Sequence, residues 1–251
     1  MSSPFPLYHP PDARRLFLSD SLLRRVAQLA NWDSKAKLVE LFGSLNGLSL
    51  AKSLDCDLTV VEPFGKSLES LKERARLAGV DGQVTFAPGE PTALALPAKK
   101  ASGIFSLGRV TGLPGAEAKR LRPLLAERGR LGLTVVVKVS RHPNEKALKA
   151  WEARLGAPLP MPREALLAIE AEGFEPELVE SAGDAELDEY YAGLEAALAK
   201  VEQPDADGPK AARDELALYR ELNGKTGVSF AFVLGRRKEP GEKPPMSRDN
   251  G

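Results

Sequence analysis

The residue most suggestive of chemistry in this sequence is Glu62, an acid that ends the apolar stretch Leu58–Glu62. A turn with two glycines, Phe42–Gly47, lies upstream of it and follows another apolar stretch. In an open parallel sheet, a strand, a glycine turn, a helix and a second strand ending on an acid can hold a nucleotide-like ligand through its ribose hydroxyls. The distance from Gly43 to Glu62 is close to the spacing of about 20 residues expected of that arrangement. Taken alone, Glu62 is better explained as an ordinary strand end with an exposed carboxylate, so the rest of the chain must decide.

The elements that would position these residues follow from the spacing of apolar side chains. Short β-type stretches alternate with helical ones through five strands, and two further strands close the chain without the regular crossover. This order predicts an α/β protein with a doubly wound, seven-stranded, mostly parallel sheet, an antiparallel last strand and a helical insertion over 185–222. The predicted strands are 37–41, 58–62, 83–87, 101–107, 130–139, 173–179 and 227–234. The predicted helices include 47–54, 67–78 ending at Gly79, and 116–127.

The amino-acid composition argues against several classes of function. Among 251 residues, Lys and Arg number 35 and Asp and Glu also number 35, so no net field attracts nucleic acid or an anionic membrane. The single cysteine, Cys56, excludes an intrachain disulfide and suggests a small core residue, and only two histidines accompany it, which argues against a zinc site. No apolar stretch reaches about 18 residues, and the first residues lack the apolar core of a signal peptide. We therefore expect a soluble, cytoplasmic protein without a metal.

Several segments together are similar to the class I S-adenosylmethionine-dependent methyltransferase family. The resemblance covers about residues 37–238, and its most specific parts are Val60–Pro63, Ser67–Leu71, Ala78–Phe86 and Gly89–Glu90. It implies a Rossmann-like methyltransferase fold, S-adenosylmethionine as cofactor, a ribose contact for Glu62 and a position near the adenine for Glu90. Phe64 is a candidate to cover the adenine face, with a core or surface aromatic as the alternative. The insertion over 185–222 resembles the extra helices with which small-molecule methyltransferases cover their pockets.

The turn that would face Glu62 departs from the family pattern of an acid followed by three alternate glycines. The turn can be aligned with this pattern in two registers. In one, Gly43 and Gly47 are the outer glycines and Leu45 takes the middle position. In the other, Glu40 is the acid that contacts the methionine amino group, and the three glycine positions are taken by Phe42, Ser44 and Asn46. A missing glycine could demand a positive φ angle, which Asn46 would tolerate best. The cofactor-binding residues that the resemblance implies are Glu40, Gly43, Ser44, Asn46, Gly47, Glu62, Pro63, Phe64, Gly89, Glu90 and Ser106.

The function predicted from this resemblance is methyl transfer to a small-molecule acceptor, with no catalytic residue assigned. The altered turn motivates an alternative, a catalytically inactive methyltransferase-like protein that acts as a binding or regulatory module. A dinucleotide-dependent oxidoreductase ranks last because no Tyr is followed at the fourth position by the Lys that such enzymes need. Candidates for acceptor contacts are Tyr8, His9, Trp32, Arg109, Trp151, Tyr190 and Tyr191.

The predicted organisation is an N-terminal extension and helix over 1–36, the methyltransferase-like domain over 37–238, and a disordered tail over 239–251. A homodimer or a protein partner is left open beside the small-molecule substrate.

Overall fold

A computed structural model describes residues 20–63, 65–89, 100–201, 207–239 and 241. Within them, the chain forms seven strands and eight α-helices, with a short 3₁₀ turn after the fourth helix. The strands are β1 Lys37–Leu41, β2 Asp57–Glu62, β3 Val84–Pro88, β4 Ala101–Thr111, β5 Leu125–Lys138, β6 Phe174–Ser181 and β7 Val228–Arg237. The helices are α1 Asp20–Ala30, α2 Leu45–Leu54, α3 Gly65–Ala78, α4 Gly115–Leu121, α5 Glu145–Leu155, α6 Pro162–Ala171, α7 Asp184–Leu198 and α8 Asp207–Glu221.

The strands form one sheet in the order β3-β2-β1-β4-β5-β7-β6. Strands β1 to β5 pair in parallel, whereas β7 runs antiparallel to both of its neighbours, β5 and β6. The predicted fold class is confirmed. The reversed β7 distinguishes this sheet from the dinucleotide-binding order 3-2-1-4-5-6, which argues against the oxidoreductase hypothesis.

Both faces of the sheet are covered by helices. The longest apolar stretch in the sequence, residues 131–137 of β5, is buried throughout because successive side chains point to opposite covered faces. Val136 joins an apolar cluster with α1, α2, α3, α5, α7 and α8, whereas Val135 and Val137 join a second cluster with α4 and α6. The sheet is therefore the rigid centre on which the loops at its edges are held.

Two element boundaries differ by five residues or more from the sequence-based predictions. Helix α3 ends at Ala78 and is followed by Gly79 with φ +71°, as predicted. The predicted helix 116–127 is wrong beyond Leu121, because Pro123 lacks the backbone N–H that would continue the helix and the chain enters a 3₁₀ turn. Strand β5 then begins at Leu125, five residues before the predicted start.

Cys56 lies in the apolar core, as predicted, and burial raises the pKa of its thiol to about 11. The thiol therefore stays protonated and unreactive at neutral pH. Within the described residues, no group of three or more His, Cys, Asp or Glu side chains could hold a metal ion. None of the described helices is both long and apolar enough to cross a membrane.

Candidate functional site

The carboxyl ends of four parallel strands meet at one edge of the sheet. Leu41, the last residue of β1, is opposite Val61 on one side and Ser106 on the other. Glu62, the last residue of β2, is opposite Pro88 at the end of β3. The turn 42–47, Glu62 and Ser106 therefore lie along the edge where ligands bind in open α/β sheets.

The turn after β1 is made by Phe42, which adopts φ +61°. The Phe42 backbone N–H donates a hydrogen bond to the Val61 carbonyl oxygen over 2.8 Å, and its buried ring joins the cluster that contains α4 and α6. A left-handed conformation costs a residue with a Cβ about 1–2 kcal/mol. Asn46, the residue of the turn that would tolerate a positive φ best, does not adopt one, because it lies in the first turn of α2. Phe42 thus takes the position that favours glycine, which matches the register that begins with Glu40.

Helix α2 begins with a hydrogen-bonded relay. Ser44 is its N-cap, and the Ser44 hydroxyl oxygen accepts a hydrogen bond from the Gly47 backbone N–H over 3.1 Å. The same hydroxyl donates to the Glu40 carboxylate. Glu40 is completely buried (0% exposed), and its carboxylate lies directly against Gly47. The relay links the first turn of α2 to the acid of β1.

Both glycines of the turn are packed against protein atoms. A Cβ added to Gly43 would lie 2.4 Å from Val60 Cγ1 and 2.7 Å from Leu71 Cδ1. A Cβ added to Gly47 would lie 2.0 Å from Glu40 Oε2. The small size of these two residues is therefore required by β2, α3 and Glu40.

Glu62 is enclosed at the tip of β2, with 1% of its surface exposed. The Glu62 carbonyl oxygen accepts a hydrogen bond from the Gly89 backbone N–H over 3.3 Å, and Gly89 has φ +132°. Pro63, the next residue, is half-buried. The predicted contacts Phe64 and Glu90 lie outside the described residues.

Strand β4 is irregular at the same edge. Ser106, which is buried, is opposite Leu133, whereas the next paired residue, Val110, is opposite Thr134. Residues 107–109 are therefore extra on the β4 side, and such bulges are common beside functional sites. Arg109, one of the predicted acceptor contacts, belongs to this segment.

Buried polar side chains of helices α5, α7 and α8 contact one another. Arg154 of α5 forms an ion pair with Glu215 of α8, and the Tyr190 hydroxyl of α7 donates to Glu215 Oε1 over 3.2 Å. Burial raises the pKa of the Glu215 carboxyl, although Arg154 acts in the opposite direction. Burial also raises the pKa of Tyr190 well above its ordinary value. The contacts of Glu215 with Arg154 and Tyr190 join helices α5, α7 and α8, and we call these three helices the cover.

Aromatic rings of the cover pack against a ring of β7. The ring of Phe230 contacts those of Tyr190 and Trp151, with centroid distances of 5.0 and 5.7 Å. Phe230 is opposite Val136, which lies nearer the carboxyl end of β5 than the residue opposite Ser106. The cover therefore packs on β7 at a level near the carboxyl end of β5.

The predicted acceptor contacts are not gathered in one place. Trp32 packs against Phe105 with a ring-centroid distance of 6.2 Å and fills the space beside Gly103. Trp151, Tyr190 and Tyr191 are buried in the cover. Tyr8 and His9 lie outside the described residues. Sequence reasoning missed Arg154 and Glu215. The signal for the acid was available, because Glu215 shares one face of α8 with the apolar residues Ala212 and Tyr219.

Similar proteins are found by structure alone. No model of a known protein family matches the sequence, and no curated protein matches it. The solved structure of an S-adenosylmethionine-dependent methyltransferase from Thiobacillus denitrificans, in complex with S-adenosyl-L-homocysteine, is similar with a TM-score of 0.72. The two share 17% sequence identity, and the match covers 91% of this chain and 96% of that one.

Two further structural neighbours catalyse different kinds of reaction. Geranyl diphosphate C-methyltransferase from Streptomyces coelicolor A3(2) is similar with a TM-score of 0.57 and 12% identity, over 92% of this chain and 89% of that one. The (4+2)-cyclase SpnF is similar with a TM-score of 0.67 and 18% identity, over 88% and 82%. Because a cyclase shares the architecture, the fold does not by itself define the reaction. The chain has the fold of the class I S-adenosylmethionine-dependent methyltransferases.

Proposed function

We propose that this protein binds S-adenosylmethionine at the carboxyl edge of β1 and β2 and transfers its methyl group to a small-molecule acceptor in the cytoplasm. The observation that carries the proposal is the position of Glu62 at the tip of β2, beside the turn that joins β1 to α2. An acid in this position is suited to accept hydrogen bonds from ribose hydroxyls. The complex of the Thiobacillus denitrificans neighbour with S-adenosyl-L-homocysteine supports the same ligand class.

The described residues have simple roles in such a reaction. The bound sulfonium would supply an electrophilic methyl group. Glu62 would hold the ribose, and the cover would orient the acceptor and exclude water. Because alignment of the acceptor can provide much of the rate enhancement, no base among the described residues is required. A small-molecule acceptor is supported by the neighbour from Streptomyces coelicolor, which was crystallised with geranyl diphosphate.

The alternative is a binding or regulatory module without catalysis. It is favoured by the Glu40 carboxylate, which accepts a hydrogen bond from the Ser44 hydroxyl and lies against Gly47. Loss of a cofactor contact would be tolerated in a protein that keeps the fold and a ligand but not the reaction.

Calorimetric titration with S-adenosylmethionine and S-adenosylhomocysteine tests the ligand. We expect saturable binding of both, and Glu62→Ala should weaken it by about 10- to 100-fold because hydrogen bonds to a charged group contribute about 1.5–3 kcal/mol. Glu69→Ala, at an exposed acid of α3, is the matched control and should bind normally. Circular dichroism should show that both variants are folded.

The outcomes separate the candidate functions. Binding followed by transfer of a labelled methyl group to small-molecule acceptors supports the enzyme, and binding without transfer supports the module. Absence of binding at millimolar ligand would exclude the enzyme, and unchanged affinity in Glu62→Ala would exclude the ribose contact.

A further inference from the structure

A groove separates helices α5 and α8 of the cover. It has a volume of about 280 Å³, and all of its lining residues belong to these two helices. Small side chains leave this space, because Ala150 of α5 and Ala211 of α8 both lie in its walls. Small-molecule sites have volumes of about 300–1,000 Å³, so a groove of this size suits one small ligand.

One part of the groove is apolar. Trp151 is buried, with 6% of its surface exposed, and Leu218 is half-buried. Both side chains line the groove. An aliphatic or aromatic group placed beside them would be removed from water and would pack against the indole ring.

Arg154 supplies hydrogen-bond donors to the same groove. Its Nη1 atom donates to Glu215, and its guanidinium carbon lies 5.1 Å from the centroid of the Trp151 ring. Within the described residues, Nε and Nη2 of Arg154 have no acceptor, and 18% of the side chain is exposed. A planar guanidinium pairs well with a carboxylate. The groove therefore offers donors for an anionic group beside an apolar surface.

An acid in the lining restricts the ligand further. Asp214 of α8 is exposed and lines the groove together with Arg154. A ligand with a carboxylate alone would bring like charges together, whereas a ligand that also carries an ammonium would complement both side chains. Glu215 does not take the place of Asp214, because its buried carboxylate already accepts from Arg154 and Tyr190. The lining therefore favours a zwitterion with an apolar part.

We propose that this groove binds a free amino acid with an apolar side chain. The carboxylate of the amino acid would pair with Arg154, and its ammonium would face Asp214. Its side chain would pack against Trp151 and Leu218. The site does not depend on the proposed function, because no lining residue lies at the carboxyl edge of β1 and β2. A bound amino acid would join α5 to α8 and stabilise the cover.

Calorimetric titration of the full chain with three related compounds tests the proposal. L-phenylalanine has all three groups, 3-phenylpropionate lacks the ammonium, and phenethylamine lacks the carboxylate. We expect saturable binding of L-phenylalanine. Phenethylamine should bind at least about tenfold more weakly, because the charged hydrogen bonds to Arg154 are lost. The compound 3-phenylpropionate should bind about two- to fivefold more weakly, because an exposed ion pair contributes little.

Two variants assign the contacts. Arg154→Lys keeps a cation beside Glu215 but lacks the planar guanidinium, so it should bind L-phenylalanine at least about tenfold more weakly. Arg163→Lys, the same change at an exposed arginine of α6, is the matched control and should bind normally. Asp214→Asn should lose the preference for L-phenylalanine over 3-phenylpropionate. Circular dichroism should show that all three variants are folded.

Three results would overturn the proposal. The first is the absence of saturable L-phenylalanine binding at millimolar concentration. The second is unchanged affinity for L-phenylalanine in Arg154→Lys. The third is binding of 3-phenylpropionate at least as tight as that of L-phenylalanine, which would replace the amino acid by a simple carboxylate.

Discussion

Replacing Gly47 by alanine would force the Glu40 carboxylate out of its place. The new Cβ would lie 2.0 Å from Glu40 Oε2, which is far inside van der Waals contact, and the buried carboxylate has no solvent to move into. Overpacking costs about 1–3 kcal/mol, and loss of the charged hydrogen bond to Ser44 costs about 1.5–3 kcal/mol. Alanine returns about 1 kcal/mol as the better helix former. We therefore expect the free energy of unfolding to fall by about 2–5 kcal/mol.

A matched control separates the clash from helix propensity. Gly193 lies in α7, is exposed, and has no atom within 4 Å of an added Cβ. Gly193→Ala should raise the free energy of unfolding by about 0.5–1 kcal/mol. Urea unfolding followed by circular dichroism measures both variants. If Gly47→Ala is as stable as the wild type, the carboxylate does not occupy this space and the reasoning is refuted.

A double-mutant cycle identifies the partner in the clash. With the carboxylate removed in Glu40→Ala, the alanine at residue 47 has room, so its further cost should shrink. We expect a coupling energy of at least about 1 kcal/mol between the two substitutions. Additive effects would mean that Gly47→Ala destabilises the protein through other atoms.

Three further results are expected from the cover and the turn. Arg154→Met should lower the free energy of unfolding by about 3–5 kcal/mol because it leaves Glu215 buried without its cation, and Arg154→Met combined with Glu215→Leu should recover most of this in urea unfolding. No recovery would contradict the ion pair as the cause. Because burial raises the pKa of Glu215 above 4.5, the folded state binds this proton more tightly than the unfolded state does. Stability should fall as pH rises from about 4.5 through the folded-state pKa, and Glu215→Gln should lose that part of the pH dependence. A parallel pH profile in the variant would contradict the raised pKa. Phe42→Gly should relieve about 1–2 kcal/mol of backbone strain but lose about 3–5 kcal/mol of ring burial, so the variant should be less stable than the wild type in urea unfolding. A net gain in stability would show that the ring contributes little.

The sheet could be predicted from the sequence because its signals are local and repeated. The apolar stretch 131–137 of β5 is buried on both faces, and Gly79 ends α3 where a left-handed residue is needed. The end of α4 was missed because apolar spacing continues past Leu121, whereas Pro123 stops the hydrogen-bonding pattern.

The site was harder to predict because its geometry depends on tertiary contacts. Asn46 is the residue of the turn that tolerates a positive φ best, but pairing of β1 with β2 and the start of α2 place the positive φ on Phe42. The sequence contains the acid Glu40 but cannot tell whether its carboxylate points to a ligand or to α2. That direction depends on the position of Ser44 and on the missing side chain of Gly47.

Hydrogen–deuterium exchange of the full chain, with and without saturating S-adenosylhomocysteine, tests most directly whether a nucleoside ligand binds at the carboxyl edge of β1 and β2. We predict slower exchange in peptides that contain the turn 42–47 and the end of β2, because the ligand orders the backbone around Glu62. Unchanged exchange at every peptide, or protection confined to α5 and α8, would contradict the proposed site.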